Sequence, residues 1–111
     1  MIRKLPKKKR TSDRWQSQRH RNHVRQHACV MCDAEAPIEV AHVRLGTDGG
    51  MGKKPSDFYT VPLCGGPEGC HARQHREGER TFWGSRDPLA ICEALIRTSP
   101  VRREIEAHRN A

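Results

Sequence analysis

The stretch from Cys29 to His75 constrains this chain more than any other. It reads Cys29-x2-Cys32, then Ala41-His42, then Leu63-Cys64, then Cys70-His71-x3-His75. Four of the five cysteines and three of the seven histidines fall inside it. A gap of two residues lets both thiolates of Cys29 and Cys32 turn toward one tetrahedral ion. The gap from Cys64 to Cys70 is longer, and Gly65, Gly66 and Gly69 supply the freedom its turn needs. Two such knuckles meeting at one ion would make a structural zinc site, since four thiolates leave no open position. His71 follows Cys70 directly and is the alternative fourth ligand. A redox Cys-x-x-Cys is the rival reading of the first pair, but that motif belongs in a βαβ setting, which is not visible here.

A metal clip also answers a shortage of core. The chain has 111 residues with 34% hydrophobic content, and domains near this size are marginal. Energy of zinc binding at a structural site is folding energy. The charge balance is 21 Lys and Arg against 13 Asp and Glu. It is uneven, with ten basic residues and one acid, Asp13, in residues 1–27. A basic arm before a compact domain favours a polyanion partner, DNA or RNA, over a merely solubilising tail. No apolar run is long enough to span a membrane. No apolar segment follows the N-terminal basic residues, which argues against a secretory signal. Clustered metal-type cysteines suit an intracellular, cytoplasmic protein.

The expected organisation is a flexible basic arm over 1–13 and one domain over 14–111, with its core at 29–80 and C-terminal helices at 87–110. A basic helix is expected from Arg14 to about His27, with Arg14, Arg21 and Arg25 on its polar face. His20, His23 and His27 fall on one helical face and read as a polar stripe toward nucleic acid rather than a further metal site. Ile38 to Val43 alternates apolar and polar with β-branched residues, a short strand. A long loop from Arg44 to Ser56 leads to a second strand over 58–63, where Pro62 requires an edge or a strand end. A helix from Cys70 to about Glu79 puts His71 and His75 one turn apart on one face. Phe82 and Trp83 read as a packing lid over it. Asp87 is an N-cap with Pro88 at the first helical position. The following helix has a stripe of Leu89, Cys92, Leu95 and Ile96, and a last amphipathic segment runs from Val101 to about Arg109. Cys92 reads as a core residue.

His42, His71 and His75 remain outside the clip. Phosphodiester cleavage needs a base to activate water and a cation to stabilise the phosphate. A histidine near its ordinary pKa can be neutral at physiological pH and serve as that base. His42 is the candidate base. His71 and His75 are candidates to hold a divalent metal (Mg2+, Mn2+ or Zn2+) with positions open for water and phosphate. Arg44, Lys53, Lys54, Arg73 and Arg76 are candidates for gripping phosphates beside the site.

The order Cys-x2-Cys, strand ending in Ala41-His42, Gly-rich loop, Pro62-Leu63-Cys64, Cys70-His71-x3-His75 resembles the HNH endonucleases of the ββα-metal type. It looks most like the phage-associated branch that includes the Ref recombination nucleases. Lys53-Lys54-Pro55-Ser56-Asp57, Phe82-Trp83 and Asp87-Pro88 are also similar to that branch. The resemblance covers roughly residues 20–100. It implies an α+β fold, a small zinc-stabilised ββα-metal core with flanking helices. It implies DNA cleavage with His42 as general base, His71 and His75 as ligands of the catalytic metal, and Cys29, Cys32, Cys64 and Cys70 as ligands of a structural zinc. It also implies a recombination or replication protein as a candidate partner. Two positions depart from the pattern. Ala41 stands where the family often has Asp or His as a further ligand. The middle Asn of the motif has no clear counterpart, and Asp57 is the candidate for loop bracing or for metal. The alternative function is a non-catalytic zinc module that binds nucleic acid or accompanies recombination. A zinc deaminase is disfavoured, because Val43 and Arg44 stand where His-x-Glu would follow His42.

Overall fold

A computed structural model describes residues 14–48 and 54–111. The arm over 1–13 and Lys53 lie outside these residues. The fold is a small α+β one in which a two-stranded sheet is surrounded by helices. In chain order the described elements are α1 (Gln18–Arg25), β1 (Ile38–His42), β2 (Thr60–Cys64), α2 (Cys70–Glu77), α3 (Glu79–Trp83), α4 (Pro88–Arg97) and α5 (Arg102–Arg109). No helix among them is long and apolar enough to cross a membrane.

β1 and β2 pair antiparallel, with Ile38 opposite Cys64 and His42 opposite Thr60. The register sets the first histidine at one end of the hairpin and the second cysteine knuckle at the other. Pro62 sits mid-strand, opposite Val40. Its carbonyl accepts from the Val30 N–H at 3.1 Å. Carbonyl and nitrogen of a strand residue lie on the same side, so the missing N–H of Pro62 falls on the outer edge of β2 and costs the ladder nothing. The first cysteine knuckle thereby caps that edge. β2 begins at Thr60 rather than Phe58, because residues 56–59 close a turn: Tyr59 N–H donates to Ser56 O at 3.0 Å and Thr60 Oγ1 to Asp57 O at 2.7 Å.

α1 is shorter than the sequence pattern implies. Ser17 caps it, its side chain accepting from the His20 N–H at 3.1 Å, so residues 14–17 are extended. They dock beside the turn before β2: Trp15 N–H donates to Ser56 Oγ at 3.0 Å and Asp57 N–H to Trp15 O at 2.8 Å. The expected nucleic-acid stripe of histidines is corrected at His20 and His23, whereas His27 is exposed. His20 is fully buried, with Nδ1 2.8 Å from Ser99 Oγ and its ring edge-on to Trp15. His23 Nε2 lies 3.1 Å from Leu95 O. This face packs on the C-terminal helices because α1 carries only one aliphatic residue, Val24, to fill the contact.

The helix expected from Cys70 to about Glu79 ends at Glu77. Gly78 takes φ of 84°, a conformation glycine adopts without strain, and α3 starts anew behind it. Phe82 and Trp83 are then core residues, exposed by 4% and 3%, rather than a lid. They pack with Ala41, Val43, Val61, Leu63 and Cys92. A second cluster of Phe58, Ile96, Val101 and Ile105 joins the turn before β2 to α4 and α5. Asp87 caps α4 as expected, accepting from Leu89 and Ala90 N–H groups.

Candidate functional site

The four cysteines come together. The sulfurs of Cys29, Cys32, Cys64 and Cys70 all lie within 4.8 Å of one another, and no other such cluster of His, Cys, Asp or Glu exists among the described residues. They are positioned to bind one metal ion, as structural zinc requires. Cys32 Sγ lies 3.6 Å from Cys64 Sγ, close to the roughly 3.8 Å expected between tetrahedral thiolates with 2.3 Å bonds. The Cys70 N–H points at Cys64 Sγ at 3.2 Å, a donor that stabilises a thiolate. Asp33 holds φ of 65° to complete the first knuckle, with Cys29 N–H donating to Ala34 O at 2.9 Å. The thiols sit in opposed environments. Burial pushes Cys29 up, but the hydrogen bonds it receives prevail and bring it to about 7. Burial and the neighbouring sulfurs drive Cys70 well above the usual thiol range. Four close sulfurs ionise together only around a cation. His71 takes no part in this cluster, so Cys70 is the fourth member.

The strand end presents the second group. His42 Nε2 lies 3.0 Å from Oδ1 of Asp57, which is fully buried. The other oxygen, Oδ2, accepts from the Ser17 N–H at 2.8 Å and from Arg21. Arg14 adds an ion pair to Oδ1 at 3.4 Å and donates to Pro55 O at 3.0 Å. Burial alone would raise the Asp57 carboxyl, but His42, the Ser17 N–H and Arg21 outweigh it and hold the pKa below the usual carboxylate value. Nε2 has two neighbours, the Asp57 carboxylate at 3.0 Å and the donor Arg14 Nη2 at 3.4 Å; the nearer, ionised acceptor favours the proton on Nε2, with Nδ1 then the basic nitrogen. Asp57 is thus saturated by protein donors. It braces the loop before β2 against α1 and orients His42.

The third group stands on α2. His71 and His75 have Nε2 atoms 3.3 Å apart, and two nitrogens bound to one tetrahedral ion at 2.0–2.1 Å would lie about 3.3 Å apart. The donor set therefore fits one divalent cation. The opposite ring nitrogen of His71, Nδ1, lies 2.7 Å from Glu39 Oε1 on β1. His42, His71 and His75 line one cavity of about 430 Å³, together with Val40, Arg44, Lys54, Gln74, Gly78 and Glu79. Gln74 is buried and reaches the His42 carbonyl at 3.4 Å. Glu79 accepts the Arg44 N–H at 2.9 Å and the Leu45 N–H at 3.2 Å, which anchors the loop leaving β1. Ala41 is fully buried in the core cluster, and adjacent strand residues point to opposite faces; a longer side chain there would enter the core, not the cavity.

The expected basic grip divides. Arg44 and Lys54 are exposed and border the cavity. Arg73 pairs with Glu77 at 3.2 Å and lies over the Phe82 ring at 5.3 Å, and Arg76 donates to Pro67 O at 3.4 Å. Sequence reasoning did not single out Glu39, Gln74 or Glu79, nor did it give Arg14 and Arg21 a link to Asp57. Only Glu39 carried a signal, as the polar residue between Ile38 and Val40 on an otherwise apolar strand.

A family model described as a protein of unknown function, DUF968, matches residues 3–89. No curated protein and no solved structure matches the chain.

Proposed function

The chain belongs to the DUF968 family, and we propose that it is a metal-dependent endonuclease of the HNH type that cleaves DNA phosphodiester bonds. One observation carries this reading. His42, oriented by Asp57, shares a cavity with a His71–His75 pair whose Nε2 atoms are spaced for one cation. The strand–strand–helix order of β1, β2 and α2 is the order a ββα-metal core requires, and the four-cysteine cluster fits the structural zinc such cores often carry.

His42 Nδ1 takes a proton from the attacking water, while Nε2–H stays on Asp57 and keeps the ring in that tautomer. The resulting imidazolium is stabilised by the same carboxylate. His71 and His75 would hold a divalent cation, which supplies charge stabilisation at the scissile phosphate when bound. With Ala41 in the core, Asp57 saturated and the Glu79 carboxylate taken up by the Arg44 and Leu45 N–H groups, His71 and His75 are the ligands we assign among the described residues that line the cavity. Imidazole donors suit Zn2+ and Mn2+ at least as well as Mg2+. Lys54 and Arg44 offer positive charge at the rim for flanking phosphates. Such contacts carry no sequence information, so cleavage should depend on salt more than on sequence.

The test is digestion of supercoiled plasmid and single-stranded DNA in Mg2+, Mn2+ or Zn2+ by the wild type and His42→Ala. Cutting by the wild type that falls at least a hundredfold in the variant is the expected result. Intact DNA with both proteins in every metal would remove the nuclease reading and leave a zinc-clipped nucleic-acid-binding module. Equal cutting by both would remove His42 as the base.

A further inference from the structure

Glu39 is half-exposed on β1, three residues before the candidate base His42 and 32 from the candidate ligand it contacts, His71. We propose that Glu39 is a positioning residue that fixes His71 as the Nδ1–H tautomer, so that Nε2 of His71 and Nε2 of His75 converge on one divalent cation. The inference rests on the metal-pair reading above.

Three observations carry it. Glu39 Oε1 stands 2.7 Å from Nδ1, behind the ring, while Nε2 faces His75 at 3.3 Å. A carboxylate only accepts, so a hydrogen bond there places the proton on Nδ1 and leaves the Nε2 lone pair free. Glu39 is also held in place from the other side. A Cβ built on Gly65 would come within 2.5 Å of Glu39 Oε2 and 2.9 Å of its Cγ. The carboxylate therefore occupies the space that a side chain at 65 would need. Last, the register explains why these three positions meet. Ile38 pairs with Cys64, and Gly65 N–H donates to Pro37 O at 2.9 Å, so Glu39 lies beside the knuckle from which α2 starts. The Cys64–Cys70 loop thus ties the sulfur cluster to the imidazole pair: Cys70 belongs to one and the next residue, His71, to the other.

A carboxylate behind a ligating imidazole orients the ring and makes it a better donor, and its loss usually weakens metal binding by about ten- to a hundredfold. Gly65→Ala should act in the same direction, because it displaces Glu39 while leaving every ligand in place.

The experiment uses full-length protein loaded with one zinc equivalent at the cysteines, titrated calorimetrically with further Zn2+. Wild type, Glu39→Gln, Gly65→Ala and His75→Ala are compared. Long-range 1H–15N spectra of the zinc-loaded proteins report the His71 tautomer. The expected result is a second, weaker equivalent in the wild type that His75→Ala abolishes. Glu39→Gln and Gly65→Ala weaken it about ten- to a hundredfold with the first equivalent retained, and the His71 spectrum moves from Nδ1–H to a mixture. A second equivalent held within twofold by both variants overturns the role of Glu39 and leaves the metal pair standing. A wild type that binds no second equivalent overturns the metal pair and the inference with it.

Discussion

Oδ1 of Asp57 and Nε2 of His42 lie 3.0 Å apart, at the junction of three segments that are distant in sequence. The same carboxylate takes the Ser17 N–H and the Arg21 guanidinium at the start of α1. One buried anion therefore orients the candidate base and anchors the helix that follows the basic arm. On the proposed nuclease reading, activity and stability would both depend on this residue.

Asp57→Asn should lower DNA cleavage by about a hundredfold or more, within the range general-base catalysis provides, because an amide no longer fixes the His42 tautomer. It should also cost about 3 kcal/mol of stability near neutral pH, at the low end for breaking a buried pair because both arginines keep some solvent. The folded-state pKa of Asp57 lies below its ordinary 3.8. Its contribution is therefore full above about pH 4 and is lost as pH falls through the lower, folded value. Urea denaturation between pH 3 and 7 should show the wild-type curve falling toward that of the variant at the acid end.

His20 gives a different pH signature. Burial, with His23 nearby, lowers it from 6.5 to about 4. The unfolded chain then binds a proton that the folded one refuses. Stability from this site is full above about pH 6.5 and declines as pH falls toward 4, by up to about 3 kcal/mol in total. His20→Gln should flatten the curve between pH 4 and 6.5 while lowering the plateau, since Ser99 Oγ loses its imidazole partner and keeps only the Val101 N–H. Denaturation midpoints of the two proteins at pH 5 and 7.5 check the difference. DNA affinity should not change, because this histidine faces the C-terminal helices.

The contrast between His20 and the cysteines shows what the sequence makes legible. Ligand spacing is local chemistry, so Cys29-x2-Cys32 and the glycine-rich Cys64–Cys70 gap announced their meeting at one point. The Asp87-Pro88 start of α4 is a local signal too, and the structure has it; β1 forms as expected, but its burial does not alternate, since Glu39 is exposed and Ala41 on the same face is buried. The inward turn of His20 is not local. It depends on Ser99, 79 residues away, offering a partner that lets an imidazole be buried. The end of α2 near Gly78 is close to the expected one, but α3 behind it has no local signal beyond Phe82 and Trp83, which read only as packing residues. Glu39 and Asp57 acquire their roles only through the hairpin register and the docking of residues 14–17, which no periodicity encodes.

The sulfur cluster should carry the fold. Removing zinc with a strong chelator, or replacing Cys29 by Ser, should unfold the chain, because structural zinc supplies on the order of 10 kcal/mol in small domains. Cys92 is the control. Burial pushes its thiol up to about 12, and it lies in the core cluster with Phe82 and Trp83 without being one of the four cysteines whose sulfurs converge. Cys92→Ala should keep one zinc per chain and lose about 1–2 kcal/mol as a small cavity. Metal analysis and thermal melts distinguish the two. Alkylation followed by mass spectrometry should leave the zinc-loaded wild type unmodified and label it fully only after chelation and denaturation.

Lys54 and Arg73, both expected to grip phosphates, should behave oppositely. Lys54 is exposed at the rim of the histidine cavity, with its ammonium available to a phosphate. Arg73 already pairs with Glu77 and lies over Phe82. Lys54→Ala should weaken DNA binding about equally for all sequences and reduce the slope of log K against log salt by about 1, the value for one lost phosphate contact. Its melting temperature should not move. Arg73→Ala should leave the salt slope nearly unchanged and lower the melting temperature only slightly, since an exposed helical ion pair and a ring contact are each modest. Binding isotherms at several salt concentrations, run beside thermal melts on a catalytically silent His42→Ala background, measure both effects on one protein. Equal salt slopes for wild type and Lys54→Ala would move the phosphate path away from this cavity.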